Sequence, residues 1–187
     1  MLNNKKFVFT GPPCSGKSSV FEKMKELFPQ WQFVEEVARQ ELKFLREFEP
    51  HKLPWDDREF FQKYVETLQL KNIVNNEQNK NFSVPCIYDR SMIDEIAYRQ
   101  FFGMEPSDYS SSNCKKYRYN KIFYFPLWEE IYKIDSERVE PLEEAKKIDS
   151  LLIKSYQDLE YQLTTVPKIT VKERIDFIIQ HIQDEYK

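Results

Sequence analysis

The sequence predicts an α/β protein, a parallel sheet with helices on both faces, in a single domain over residues 1–187. Three observations carry this. Short apolar and aromatic runs recur along the chain, and each is followed by a longer stretch with apolar residues at helical spacing. Strand and helix therefore alternate, the pattern that a parallel sheet with crossover helices produces. The first strand runs directly into Gly11-Pro12-Pro13-Cys14-Ser15-Gly16-Lys17-Ser18, which meets G-x-x-x-x-G-K-[ST] at every fixed position.

The elements follow in order. Phe7-Val8-Phe9 reads as a short buried strand within Lys5–Thr10. After the loop, Val20, Met24 and Leu27 fall on one helical face, and Pro29 ends that helix near Phe28. Trp31–Val34 is the second strand, with Glu35 and Glu36 leaving its end. Ala38, Leu42 and Leu45 then continue at helical spacing to about Phe48. A loop containing Pro50 and Pro54 follows. Asp56 or Asp57 can cap a long helix that turns Phe61, Val65 and Leu68 inward, with an exposed, Asn-rich end between Asn72 and Asn81. Val84–Tyr88 is the third strand, ending at Asp89-Arg90-Ser91, and Ile93, Ile96 and Ala97 mark the next helix. Met104–Asn120 carries the weakest signal, a short helix between loops. Lys121–Phe125 is the fourth strand, stopped by Pro126. Trp128–Glu140 is charged and bounded by prolines. Leu142, Ala145, Ile148, Leu152, Tyr156 and Leu159 mark a long amphipathic helix. Tyr161–Val166 is the fifth strand, and Val171, Ile175, Ile178 and Ile182 form the stripe of the closing helix.

Strand, glycine-rich loop and helix together make a phosphate site. The backbone N–H groups of the loop and the positive end of the helix dipole favour an anion. Lys17 is placed to reach the β- and γ-phosphates, and the Ser18 hydroxyl to ligate Mg²⁺; Ser19 follows in the first helical turn. The chain has three glycines in all, and two of them are Gly11 and Gly16, where backbone must approach phosphate closely. The expected cofactors are ATP and Mg²⁺.

Composition narrows the partners. Hydrophobic residues at 41% and aromatics at 16% belong to a globular chain. No apolar run approaches the roughly 20 residues of a membrane span, and no signal-peptide segment precedes the first strand. A net charge of −3 argues against a nucleic-acid platform. Cys14, Cys86 and Cys114 have neither an even count nor metal-ligand spacing, so reduced thiols in a cytoplasmic protein are expected. Cys14 in the loop is either oxidation-sensitive or a spectator. His51 and His181 are too few for a histidine metal centre.

In an open parallel sheet the ligand lies beyond the carboxyl ends of the strands. The charged residues there are Glu35 and Glu36 after the second strand and Asp89 and Arg90 after the third. Each has a plainer alternative. Asp89 can cap the helix starting at Ser91, Arg90 can pair with Glu36 or Asp94, and strand-end acids also cap helices. Either Glu35 or Glu36 can face the site. Lys115-Lys116-Tyr117-Arg118 is either a greeting patch for a phosphorylated substrate or a solvated loop.

The P-loop, Glu36-Val37-Ala38-Arg39, Tyr88-Asp89-Arg90-Ser91, Trp128-Glu129-Glu130-Ile131-Tyr132 with Asp135 and Arg138, and Val166-Pro167 resemble one family over nearly the whole chain. It is the small AAA-labelled ATPase/kinase family of P-loop proteins, which includes the ribosylnicotinamide kinase domain of bacteria. The resemblance implies a five-stranded sheet in the order 2-3-1-4-5 and a mobile lid at about 128–140. It implies that Asp89 holds Mg²⁺ through water, that Arg90 stands near the substrate, and that Glu36 takes the proton from an acceptor hydroxyl. It also implies that Arg138 reaches the transferring phosphoryl group and that Val166-Pro167 packs against adenine. Arg39 and Asp94 are expected beside Glu36 and Arg90 on the substrate side.

Three functions fit a P-loop. They are a kinase passing the γ-phosphate of ATP to a nucleoside, nucleotide or related small molecule, an NTPase or nucleotide-gated binding module, and a GTPase switch. Asp89-Arg90-Ser91-Met92 lacks the Asp-x-x-Gly of switches, and Asn120-Lys121-Ile122-Phe123 lacks the Asp of a guanine-reading motif. The acid and arginine at the strand ends favour a kinase. The acceptor and the oligomeric state are left open.

Overall fold

Residues of each central strand alternate between two apolar layers, as a period of two requires. In β1 (Lys6–Thr10), Phe7 and Phe9 enter one layer and Val8 the other. In β3 (Cys86–Asp89), Ile87 joins the Phe7 side while Cys86 and Tyr88 join Val8. In β4 (Lys121–Tyr124) the same division puts Phe123 on one side and Ile122 on the other. Central strands buried on both faces are the mark of a parallel sheet covered by helices.

The computed structural model describes residues 5–49, 53–54, 56–78, 84–132 and 141–187. With β2 (Gln32–Val34) and β5 (Leu163–Thr165), the sheet has five parallel strands in the order β2-β3-β1-β4-β5. This is the predicted fold and strand order. The Phe7 layer is closed by α1 (Lys17–Leu27) and α7 (Val171–Asp184), which contribute Val20, Phe21, Met24, Ile175, Ile178 and Ile182. The opposite layer holds α4 (Met92–Phe101) and α6 (Leu142–Asp158), with Met92, Ile93 and Tyr156 fully enclosed. A side pair, α2 (Val37–Phe48) and α3 (Arg58–Gln78), packs through Val37, Leu45, Phe61 and Val65. Each large apolar side chain in these layers contributes about 1.5–3 kcal/mol by leaving water.

Several boundaries differ from expectation. Leu27 sits on the solvent side, 52% exposed, because α1 ends there and Phe28 instead turns in to stack on Trp31. Met104–Asn120 contains a definite helix, α5 (Asp108–Lys116), capped by Ser107, whose hydroxyl accepts from the Ser110 N–H. The Asn-rich end of α3 is not wholly solvated, since Asn76 donates to the Tyr88 hydroxyl at 2.9 Å. The strongest departure is α3 itself, whose inner face buries Gln62, Glu66 and Gln69. Of the expected lid, Trp128–Tyr132 is described, with a 3-10 turn at Glu129–Ile131. Arg138 and Asp135 lie outside the described residues. No helix among the described residues is long and apolar enough to cross a membrane.

Candidate active site

The P-loop bridges β1 and α1, and its shape explains both glycines. Gly11 has φ +152°, and a Cβ there would stand 2.2 Å from the Phe125 carbonyl oxygen. Gly16 has φ +77°, and its Cβ would meet the Arg174 guanidinium at 2.8 Å and Ile131 Cδ1 at 3.2 Å. Only a residue without a side chain fits both demands. Gly16 is also the N-cap of α1, and neither a side-chain cap nor a first-turn acid neutralises that helix end. Its first N–H groups are thus kept for an anion. Pro12, Pro13, Cys14 and Ser15 are buried in the loop, Cys14 in a left-handed conformation at φ 59°. Cys14 as a residue is 6% exposed, which favours the spectator reading. Ser18 is half-buried and Ser19 exposed.

Lys17 lies in the first turn of α1, and its ammonium pairs with Asp89 Oδ1 at 2.5 Å. Both side chains are nearly enclosed, 5% and 6% exposed, so water screens the pair little. Asp89 ends β3 beside Phe9 of β1, which brings its carboxylate to the loop. The capping role weighed for Asp89 belongs to Ser91, whose hydroxyl accepts from the Ile93 N–H while Asp94 accepts from the Ser91 N–H.

Arg90 takes a left-handed backbone conformation, φ 69°, which is uncommon outside glycine. The turn sends its guanidinium inward, where it is 7% exposed and bonded on several sides. Nε donates to Glu36 Oε1 at 2.9 Å, and NH1 reaches the Gly11 carbonyl at 3.3 Å and Asp94 Oδ1 at 3.4 Å. One arginine thus ties the start of the P-loop to the acid at the end of β2.

Glu36 is the strand-end acid that faces this arginine. Glu35 turns outward to Lys25 and Gln40. Burial alone would raise the Glu36 pKa, but Arg90, Lys17 and Arg39 outweigh it and bring it down to about 2. Arg39 is exposed and stands 3.3 Å from Glu36 Oε2, on the solvent side of the same carboxylate. Asp94 is fully buried. It accepts from Thr10 Oγ1 at 2.7 Å and from the Tyr156 hydroxyl at 2.5 Å, so it supports Arg90 from beneath instead of presenting a surface.

The loop after β5 is less uniform than expected. The Val166 side chain is committed to the core, 1% exposed, whereas Pro167 is half-buried. Lys115-Lys116-Tyr117-Arg118 does not join the site. The lysines are exposed at the end of α5, and Arg118 stacks on Tyr161 and donates to the Leu159 carbonyl.

Two features escaped the sequence reading. Arg174, in the first turn of α7, lies against the P-loop carbonyls and the Trp128 ring. Nothing in a lone arginine of an amphipathic helix marks it. The second is a polar seam between α3 and α4. Gln69 donates to Glu95 at 3.0 Å, Arg99 pairs with Glu59, and Glu66 accepts from Ser107. Buried polar atoms of Gln62, Glu66, Gln69 and Arg99 in this seam have no hydrogen-bond partner among the described residues. Burial, reinforced by Asp94, pushes the Glu95 carboxyl up to about 8 against the pull of Arg90. Gln62, Glu66 and Gln69 recur at helical spacing, but among Phe61 and Val65 they read as an ordinary flank of the apolar stripe.

Among the described residues no cluster of three or more metal-ligating side chains forms. Ser18 and Asp89 offer hard oxygen donors beside the loop. Such a donor set suits Mg²⁺, which takes one or two carboxylates from protein and most of its remaining ligands from phosphate and water.

A family model described as AAA domain matches residues 6–174. No curated protein matches the sequence. Among solved structures, deoxyadenosine kinase from M. mycoides with bound dATP is similar, with a TM-score of 0.68 and 15% identity over 96% of this chain and 100% of that one. Thymidylate kinase from Candida albicans has a TM-score of 0.66 and 12% identity, covering 98% of this chain and 93% of its own. Thymidylate kinase from Ehrlichia chaffeensis has 0.61 and 12%, covering 96% and 99%. The family match spans both the P-loop and the Asp89-Arg90 strand end, and the shared fold covers nearly the whole chain. The chain therefore belongs to the AAA-domain family of P-loop proteins and has the nucleoside- and nucleotide-kinase fold.

Proposed function

We propose that the protein is a kinase that transfers the γ-phosphate of Mg-ATP to a nucleoside, nucleotide or related small molecule. The observation that carries this reading is the Glu36–Arg90 pair, set one layer from Lys17 and Asp89 at the carboxyl ends of the strands. A hydrolase has to position only water. An acid and an arginine placed together at the strand ends, with the arginine reaching the Gly11 carbonyl at the start of the loop, suit an acceptor with both a reacting group and a charge or polar edge. The kinases that share the fold support the same reading.

Phosphoryl transfer needs positioning and charge stabilisation more than covalent chemistry. In this proposal the loop amides and Lys17 hold the triphosphate. Lys17 exchanges Asp89 for phosphate, which frees the Asp89 carboxylate. Ser18 and Asp89 would hold Mg²⁺, which would supply charge neutralisation to the transferring group. Pro167 and the backbone at Val166 border the adenine. On the acceptor side, Glu36 orients the attacking hydroxyl and receives its proton, while Arg90, held by Asp94, stabilises charge on the acceptor. Arg39, on the open side of Glu36, meets the acceptor as it enters. Arg138, proposed from the sequence alone, supplies a further cation to the transferring group.

The test is to incubate the protein with Mg-ATP and a panel of nucleosides, nucleotides and nicotinamide riboside, and to measure ADP. Acceptor-dependent ADP with a phosphorylated product is expected. ADP formed at the same rate without any acceptor would replace this reading with simple hydrolysis.

A further inference from the structure

Arg174 is 4% exposed. Among the described residues its partners are carbonyl oxygens and an aromatic ring, and no carboxylate pairs with it. Nε donates to the Ile169 carbonyl at 2.9 Å, which fixes the guanidinium at the start of α7. NH1 lies 3.5 Å from the carbonyl oxygens of both Ser15 and Gly16. The guanidinium carbon Cζ sits over the Trp128 ring, 4.7 Å from its centre. The fit is close, since a single carbon added at Gly16 would collide with NH1. Burying a cation without an anion is costly, so a side chain that only filled space here would be better apolar.

The identity of the two carbonyls gives the cation a task. The Ser15 carbonyl belongs to the same peptide group as the Gly16 N–H, and the Gly16 carbonyl to the same group as the Lys17 N–H. In a P-loop these N–H groups belong to the phosphate cradle. A positive charge at the oxygen end of an amide draws electron density from nitrogen and makes its N–H a stronger donor, the cooperative effect of chained hydrogen bonds. At 3.5 Å the two contacts are long, so charge matters here more than bond geometry.

We propose that Arg174 is a positioning residue of the phosphate loop. It polarises the Gly16 and Lys17 amides from behind and is held in register by Trp128 at the root of the segment that follows β4. The phosphate end of the nucleotide is the ligand concerned, so the proposal rests on the P-loop binding a triphosphate. The stacking on Trp128 also links the loop to that segment, so displacement of Trp128 would be felt by the phosphate donors.

With three glycines in the chain, selective ¹⁵N-glycine labelling gives a three-signal spectrum of the full-length protein in which Gly16 reports the effect directly and Gly103 is the control. Arg174→Met should move the Gly16 amide signal upfield and leave Gly103 in place. It should weaken Mg-ATP and inorganic tripolyphosphate by about tenfold, the lower end of what outer-layer partners are worth at metal sites. Arg174→Lys, which keeps the charge, should recover most of both effects. If Arg174→Met does not fold, Arg174→Gln takes its place and is read in the same way. A Gly16 signal unmoved in the neutral variant, with unchanged tripolyphosphate affinity, would reduce Arg174 to packing and overturn the proposal. Equal losses in the Lys and Met variants would overturn it too, since charge would then be irrelevant. If the parent protein itself binds neither ATP nor tripolyphosphate, the P-loop reading fails and the proposal with it, a result distinct from a parent that binds and a variant that binds equally.

Discussion

Arg90 Nε donates to Glu36 Oε1 across 2.9 Å, joining the ends of β3 and β2 although 54 residues separate the two in sequence. The contact decides which of two adjacent acids does what. Glu36 is drawn into the site and Glu35 is left to Lys25 on the surface. It also sets the electrostatics, because the cations around Glu36 keep it ionised far below neutral pH. A carboxylate so stabilised is a weak base but a firm orienting group.

Glu36→Gln should lower kcat by about 10²–10⁴ if the acceptor is a hydroxyl, while Glu35→Gln should be close to silent. Steady-state kinetics with the best acceptor from the panel checks both. A damaging Glu35→Gln beside a silent Glu36→Gln would reverse the assignment. For a phosphate acceptor, already anionic, Glu36→Gln should matter much less and Arg90→Ala should chiefly raise the acceptor KM.

Mg-ATP at a hundredfold excess over Kd should stabilise the folded chain by about 2.7 kcal/mol, or roughly 5–11 °C in Tm for a domain of this size. Lys17→Ala should lose most of the shift. Asp89→Asn should keep the nucleotide-only part but lose the increment that Mg²⁺ adds. Thermal melts with ATP alone and with Mg-ATP separate the two, and a parent melt indifferent to both would refute nucleotide binding.

The parts legible in the sequence were those with a local signature. The P-loop is written in consecutive residues, and Phe7-Val8-Phe9 before it gives a strand of period two. The amphipathic stripes of α6 and α7 gave both helices, and alternation of the elements gave a parallel sheet. What stayed hidden depends on pairs distant in sequence. Arg174 meets Gly16 only because α7 returns beside α1. Asp94 was expected beside Arg90 on the substrate side, yet Thr10 and Tyr156 arrive from other elements to bury it. The α3–α4 seam misled for another reason. Its buried side chains are Gln and Glu, and polar types on a helix face ordinarily signal solvent.

Tyr156 tests how far Arg90 relies on support from below. Its hydroxyl donates to Asp94 Oδ2 at 2.5 Å, in the floor beneath Arg90. Tyr156→Phe removes the donor and leaves a buried carboxylate oxygen less satisfied, a loss of about 1–3 kcal/mol, or roughly 2–12 °C in Tm. The acceptor KM should rise with the ATP KM unchanged, because the slack falls on Arg90 and not on Lys17. Equal changes in both constants would mean a general loosening of the fold.

Glu95 makes stability depend on pH in the direction opposite to Glu36. An unfolded Glu loses its proton near pH 4.3, whereas the buried Glu95 keeps its own up to about 8. Between those values the unfolded chain binds fewer protons than the folded one, so this group's contribution to stability falls as pH rises through the window. The depressed Glu36 acts the other way, giving stability that is present above about pH 4.3 and lost as pH falls toward 2. Glu95→Gln replaces the neutral acid with a neutral amide of the same size, still able to accept from Gln69. Relative to the parent, it should gain ground between about pH 4.3 and 8, by at most about 1.4 kcal/mol per pH unit. Urea denaturation at several pH values reads this directly. Parent and variant curves that run parallel across the window would mean that Glu95 is ionised in the fold, its charge offset by the nearby Arg90.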